Sequence, residues 1–395
     1  MIEWLSLWGR WVHLITGIAW IGASFYFVWL DNHLLPPTDE TAMRKGVGGE
    51  LWAVHGGGFY NAQKYRSAPQ FLPRSLHWFY WEAYSTLLSG FFLLCLLYYA
   101  QAEIYLIDPR VAALSKPAAI AASLAFLGGG WLVYDLLCRS PLVRRPAWLG
   151  GTLTLLLCLA AYAVCHLFSG RGAFLEFGAM LGVIMVANVF FVIIPGQREM
   201  VLAKQEGREP DPGAGLRGKL RSVHNTYFTL PVLFTMISNH YALTFGARFN
   251  WLVLIALSAA GLLIRIYFVA RHKRHERGGS TSPWPAVAGL FILAATAAAL
   301  APRASPSGAT APGFAQAERI VAQRCAPCHS AAPSQPGFTE APKGLMLDTP
   351  AAILTHVTLI ETQVATRAMP IGNLTGMTED ERTLLLEWIR HGAPR

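Results

Sequence analysis

Cys325 and Cys328 stand three residues apart, with His329 directly after them and Ala326-Pro327 between. Two thiols at that spacing on a turn can each form a thioether to one porphyrin vinyl, while the adjacent imidazole faces the iron. Cys-x-x-Cys-His is the attachment pattern of a c-type haem. A disulfide or zinc reading lacks the second cysteine pair that such a site would use. Forty residues past His329 comes Met369-Pro370, followed by Gly372-Asn373. This spacing fits a small class I cytochrome c with His329 and Met369 as axial ligands, a pairing that raises the haem potential. Met346 and Met377 are the rival distal ligands.

Local elements must deliver these groups. Residues 314–321 read as a short amphipathic helix leading into the cysteine motif. Thr378-Glu379-Asp380-Glu381 is a capping-box helix start ahead of 382–390, whose apolar face is expected to pack on the haem or on the first of these helices. A cytochrome domain over 313–395 follows, preceded by a linker at 303–312 rich in Pro, Ser and small residues. The linker is short, so the haem should stay near whatever the rest of the chain is embedded in.

That remainder, 1–302, belongs in a membrane. The chain is 53% hydrophobic, 12% aromatic and only 14% charged, a balance foreign to a soluble enzyme of this length. Eight apolar stretches reach the ~20 residues that cross a bilayer, near 5–30, 76–100, 116–138, 147–168, 173–195, 225–245, 249–271 and 284–302. The fold class expected is therefore all-α: a polytopic transmembrane helical bundle followed by the small cytochrome. The net charge of +9 raises the question of nucleic acid, but from 313 onward seven Lys/Arg face eight Asp/Glu, so the excess lies wholly in the apolar part. The first, third, fifth and seventh loops carry five, three, six and four Lys/Arg, against four in all the loops between. Such asymmetry marks a cytoplasmic side and excludes a nucleic-acid surface. With an even number of spans both termini lie outside, where bacterial c-type haem is attached. The chain opens with Glu3 instead of a basic segment and shows no cleavage site, so the first span reads as retained. The basic stretch 271–277, with His272 and His275, is a topology signal before it is a metal site. Cys95, Cys138, Cys158 and Cys165 fall in apolar spans as buried free thiols.

Ionisable groups within spans are default candidates for function. His13 has Gly17 one turn on and Trp20 two turns on, an arrangement with room for a porphyrin plane or, alternatively, for an imidazole bonded across helices. His13, His166 and His240 sort to the outer face, and a b-type haem held by two of them would stand beside the cytochrome. His77, His224 and the loop residue His55 sort to the inner face. The first inner loop, 31–75, is longer than a connection requires and holds clustered glycines with Glu50, His55, Gln63, Lys64 and Arg66. Its glycines allow close backbone approach to a flat ligand. A packed connection between helices is the other reading. Arg265 lies well inside the seventh span, with Glu176 and Asn188 as expected partners or, failing that, an anion.

Several long stretches resemble the bacterial membrane-bound, cytochrome c-linked urate oxidases: His224-Asn225-Thr226-Tyr227-Phe228-Thr229-Leu230-Pro231 with Ser238-Asn239-His240-Tyr241, Val47-Gly48-Gly49-Glu50-Leu51-Trp52, and Leu76-His77-Trp78-Phe79-Tyr80-Trp81-Glu82. The segment around His13 is similar to that family too, and the resemblance spans the whole chain. It implies oxidation of urate to 5-hydroxyisourate in purine breakdown, with electrons leaving through haem c to a respiratory acceptor and no hydrogen peroxide formed. Urate gives up two electrons while a haem accepts one at a time, so a substrate site and a relay are both needed. On this reading Glu50, His55, His77 or His224 takes a proton, and Gln63, Lys64 and Arg66 meet an anionic substrate. A membrane oxidoreductase for another metabolite or a quinol, and a membrane-anchored electron relay, are the competing functions.

Overall fold

The computed structural model describes residues 1–66, 68–275, 279–301 and 312–395. The linker, except for its last residue, and the end of the basic stretch at 276–278 lie outside the described residues. The chain opens with α1 (Ile2–His33), α2 (Glu40–Arg44) and the hairpin β1 (Val47–His55) and β2 (Gly58–Tyr65). Then come α3 (Trp81–Leu94), running on through a π turn at Cys95–Tyr99, α4 (Ala102–Tyr105), α5 (Lys116–Arg139) and α6 (Pro146–Cys165). One continuous rod follows, made of α7 (Gly170–Asn188), a π turn at Val189–Ile193 and α8 (Ile194–Gln205). After it come α9 (Pro212–Ser238), α10 (Ala242–Phe245), α11 (Asn250–His275) and α12 (Trp284–Leu300). The last part holds α13 (Phe314–Arg324), α14 (Pro350–Thr355), α15 (Val357–Ala365) and α16 (Glu379–Arg390).

Among the described residues six helices are long and apolar enough to cross a bilayer: Ile2–His33, Trp81–Tyr99, Lys116–Arg139, Pro146–Cys165, Gly170–Gln205 and Asn250–Arg271. The other two expected spans are helical as well. Trp284–Leu300 has only 17 residues, and α9 spends its first half on polar residues such as Arg217, Lys219 and Arg221. The Gly170–Gln205 rod is the central element, with 61% of its apolar window buried against at most 22% in the other five. Outward apolar side chains such as Leu136 and Leu155 are more than 60% exposed, which suits a lipid surround.

The all-α expectation needs one correction. The glycine-bearing loop folds over Val47–Tyr65 into a two-stranded antiparallel hairpin in which His55 pairs with Gly58. Gly56 and Gly57 both have positive φ, 57° and 80°, the condition for the tight two-residue turn whose twist matches the strands. The hairpin is tied to the end of α1 by the Lys64–Asp31 ion pair and by mutual backbone bonds between Leu35 and Glu50.

Residues 314–395 gather a separate core in which Ala317, Val321, Val364, Leu385 and Trp388 are buried. Thr378 and Glu381 cap α16 reciprocally as the sequence indicates, and α16 packs on α13, with Trp388 against Phe314. This unit rests on the end of the bundle formed by α4 and α10. Arg367 Nη1 donates to the Gly246 carbonyl at 3.0 Å, and a Cβ on Gly372 would lie 3.2 Å from the Ile104 carbonyl oxygen.

Candidate functional site

A buried polar network joins α5, α7 and α9 near the end of the bundle opposite that contact. On α9, Arg221, Asn225 and Phe228 recur at helical spacing and face inward, with His224 at the edge of the same stripe. On α5, Tyr134 and Cys138 share a face, and Asp135 lies beside them. Asn188 is the last α-helical residue before the π turn, which precedes Pro195, a residue unable to donate to the Phe191 carbonyl.

Arg221 Nη2 lies 2.6 Å from Asp135 Oδ1, with the two side chains only 4% and 9% exposed. Asp135 Oδ2 accepts from Arg139 Nε, also at 2.6 Å. The Arg221 guanidinium carbon sits 4.9 Å from the Tyr134 ring centre, and its Nη1 reaches Asn188 Oδ1 at 3.4 Å. Asn188 Nδ2 donates to the Tyr134 hydroxyl at 3.1 Å and to Asn225 Oδ1 at 2.9 Å. Asn225 in turn donates to the Met185 carbonyl. Tyr134 Oη and His224 Nδ1 are 2.8 Å apart. Either group can hold the shared proton. With Nδ1–H donating to Tyr134, Nε2 carries a lone pair; with Tyr134 donating, Nε2–H is itself a donor. His224 Nε2 has no partner among the described residues. Tyr134, Asp135, Arg221 and Asn225 are absent from the candidates named from sequence. Asp135, an acid inside an apolar stretch, carried the signal that would have found them.

The other inner-face candidates do not join this network. His55 is exposed at the hairpin turn, Glu50 accepts from Asn61 across the strands, Lys64 is held by Asp31, and Gln63 and Arg66 are exposed. His77 is exposed and packs edge-on against Phe79. Among the described residues, no hydrogen bond, ion pair or ring contact links any of them to His224. An open groove of about 550 Å³ runs beside Trp78 along α8, lined also by Pro195, Arg198, Leu202 and Gln205.

Of the outer histidines, His13 Nδ1 is 3.1 Å from both the Thr86 carbonyl and Ser89 Oγ. Gly90 makes the room for it, since a Cβ there would meet His13 Cε1 at 2.9 Å, whereas Gly17 has nothing closer than Thr86 at 3.9 Å. His166 Nδ1 bonds the Tyr162 carbonyl one turn back and stacks on that ring, and His240 is exposed. Among the described residues, no hydrogen bond or ring contact joins any two of the three. The expected partners of Arg265 are otherwise engaged: Glu176 accepts from Ser123 at 2.7 Å, and Asn188 belongs to the network above.

In the C-terminal unit, Cys325 and Cys328 are free thiols at the end of α13. Burial pushes the Cys325 thiol up to about 12 and raises Cys328 as well. His329 is buried and its Nδ1 lies 3.0 Å from the Leu345 carbonyl, the bond that leaves Nε2 as the coordinating nitrogen of a proximal ligand. Met369 is half-buried, and its carbonyl accepts from Arg382 Nη1 at 2.9 Å. Met377 is 3% exposed within the core, and Met346 is 46% exposed. The Cys325, Cys328 and His329 side chains therefore fit a covalently attached haem. Cys95, Cys138, Cys158 and Cys165 are all free, with Cys138 and Cys165 buried.

A family model described as urate oxidase N-terminal matches residues 1–300. No curated protein and no solved structure matches the chain. Because the match covers three quarters of the sequence, with all of α1 to α12 and the Tyr134–His224 network inside it, the chain belongs to the urate oxidase N-terminal family.

Proposed function

We propose that this chain oxidises urate to 5-hydroxyisourate in its membrane domain and delivers the electrons to a haem c on its C-terminal unit. Family membership over 1–300 supports the substrate class. The observation that carries the location is the Tyr134–His224 pair, set on a buried network with one imidazole nitrogen left open. Conversion of urate consumes one water and releases two electrons and two protons. A proton acceptor is thus required apart from the electron acceptor. With Nδ1–H donating to Tyr134, His224 Nε2 takes a proton from a ring N–H of the substrate, while Asn188 and Arg221 hold Tyr134 in place.

Cys325 and Cys328 would carry the haem, His329 and Met369 would ligate it, and when bound it supplies a one-electron acceptor of raised potential. The Leu345 carbonyl orients His329 for that role, and Arg382 anchors the chain at Met369. The network and the C-terminal unit lie at opposite ends of the bundle. From Lys116 to Asp135, α5 climbs about 28 Å at the helical rise. An intermediate b-type haem held by His13, with its Nδ1 already oriented by Thr86, and by His166 or His240 would divide that distance. On this reading the chain lies in a bacterial inner membrane with lipid around it. The C-terminal unit is periplasmic, passing electrons to a cytochrome c or a terminal oxidase, and urate enters from the cytoplasmic side.

Anaerobic mixing of urate with membranes holding the full chain should reduce the c-type absorbance, yield 5-hydroxyisourate and form no peroxide. Reduction by a quinol but never by urate would refute the proposal. His224→Ala should abolish the urate-dependent step while leaving chemical reduction by dithionite intact.

A further inference from the structure

We propose that Arg265 is the anion anchor of the membrane domain. It receives a planar, N–H-bearing monoanion, the class to which urate belongs, where α11 meets α1 and α9. This rests on the urate reading above and moves the charge-matching role from the hairpin residues Lys64 and Arg66 into the bundle.

Arg265 sits two-thirds of the way along α11, and its Nε and Nη2 are buried without any hydrogen-bond partner. Among the described residues it forms no ion pair. Asp135 is committed to Arg221, Asp31 to Lys64, and Glu176 to the Ser123 hydroxyl, while Glu82 on α3, whose Oε2 is also buried and unbonded, makes no ion pair with it. An unpaired guanidinium within a membrane helix is costly, and such groups are ordinarily matched by a partner. One contact is already present. The guanidinium carbon lies 3.8 Å above the centre of the Phe25 ring of α1. Stacking on that face leaves the N–H donors, which lie in the guanidinium plane, free to meet a ligand edge.

One further group on the same side matches the rest of such a ligand. Ser258 lies seven residues before Arg265, on the same stripe of α11, and its Oγ is likewise buried and unbonded. Gly261 falls between them, and a Cβ there would stand 3.1 Å from Leu230 Cβ and 3.6 Å from Pro231 Cδ, so the stripe faces α9 at its internal proline. Pro231 has no N–H, which deprives the Tyr227 carbonyl of its usual helical partner. Tyr227 is within electrostatic reach of Arg265 and lies one turn from His224. The stripe therefore offers a cation with unpartnered donors and an unbonded hydroxyl. The donors suit the oxyanion edge of a flat heterocycle, and the hydroxyl oxygen can accept from a ring N–H. A chloride or a carboxylate would use only the first of these.

The test uses the purified full chain with haem attached, and two readouts: equilibrium dialysis of labelled urate, and urate-dependent haem reduction. Arg265→Gln should weaken urate binding about ten- to a hundredfold, the range for losing a charge-assisted bond. KM should rise by the same factor, with a smaller change in kcat. Arg265→Lys should recover part of the loss, because it restores charge without the two-donor edge. Ser258→Ala should weaken binding by a few-fold only. Haem content per chain and melting temperature, compared with the parent, report folding. Parent-like urate affinity in Arg265→Gln would overturn the proposal; where that variant fails to assemble, parent-like affinity in Arg265→Lys would do so, because the two-donor edge would then contribute nothing. A parent that binds urate in an Arg265-dependent way yet never reduces its haem would refute the urate oxidation reading and leave this site standing.

Discussion

Asp135 accepts from two arginines at once, and the two contacts differ in what they stabilise. Arg139 is 65% exposed, so its pairing is screened by solvent. Arg221 is buried. Asp135→Asn strands the Arg221 charge inside the bundle and should cost about 3–5 kcal/mol in denaturant unfolding in detergent, whereas Arg139→Ala should change stability little. Tyr134→Phe keeps the ring beneath Arg221 but removes the oxygen shared by His224 and Asn188. Urate turnover should fall roughly 10- to 100-fold, less than the full worth of a general base, and the buried Asn188 N–H left without its acceptor should cost about 1–3 kcal/mol of stability. In the C-terminal unit, burial alone would raise the Glu381 carboxyl, but hydrogen bonds from Arg324 and the Thr378 amide outweigh it and hold the group below the usual glutamate range. Its stabilising contribution is complete above the ordinary glutamate value and is lost as pH falls through the depressed one. The stability gap between parent and Glu381→Gln should therefore close as unfolding is repeated at decreasing pH.

At the scale of elements, the network exists because α7 lies close to α9 on one side and α5 on the other. Gly178 permits that approach: a Cβ there would collide with Thr235 Oγ1 and come within 2.8 Å of Thr235 Cβ. Gly178→Ala should destabilise the bundle by about 1–3 kcal/mol and lower urate turnover together. Thr235→Ala in the same chain should recover part of both, as read by thermal unfolding and by haem reduction. The helices themselves were legible, since a period of apolar residues and a length near 20 is a local property. The hairpin was less so. Its turn signal, Gly56-Gly57 between alternating runs, was present, yet clustered glycines and aromatics equally describe a packed loop. Lys64 and Arg66 were substrate-contact candidates for the same reason; Lys64 pairs with Asp31, and Arg66, just past β2, is exposed.

For the whole molecule, the decisive relation is between two ends of one bundle. The unit bearing Cys325, Cys328 and His329 sits on α4 and α10 through the Arg367–Gly246 bond and the Gly372–Ile104 approach. Arg367→Ala should speed hydrogen exchange at 242–248 and 371–373 and slow urate-dependent haem reduction, while dithionite reduces the haem as before. The chain alone determined that a Cys-x-x-Cys-His motif follows an apolar domain, where the helices run and which loops are basic. Each of these is carried by residues near one another in sequence. Tertiary structure decided which polar groups meet. Tyr134 and His224 are 90 residues apart, and Arg221 reaches Asp135 across 86. Arg221 counted in sequence as one loop charge among several, and became the buried partner of Asp135 only when α5 and α9 packed. The assignment of a charged residue to topology or to chemistry depends on its neighbour across the bundle, and helical periodicity constrains the face of a residue but not what lies opposite it.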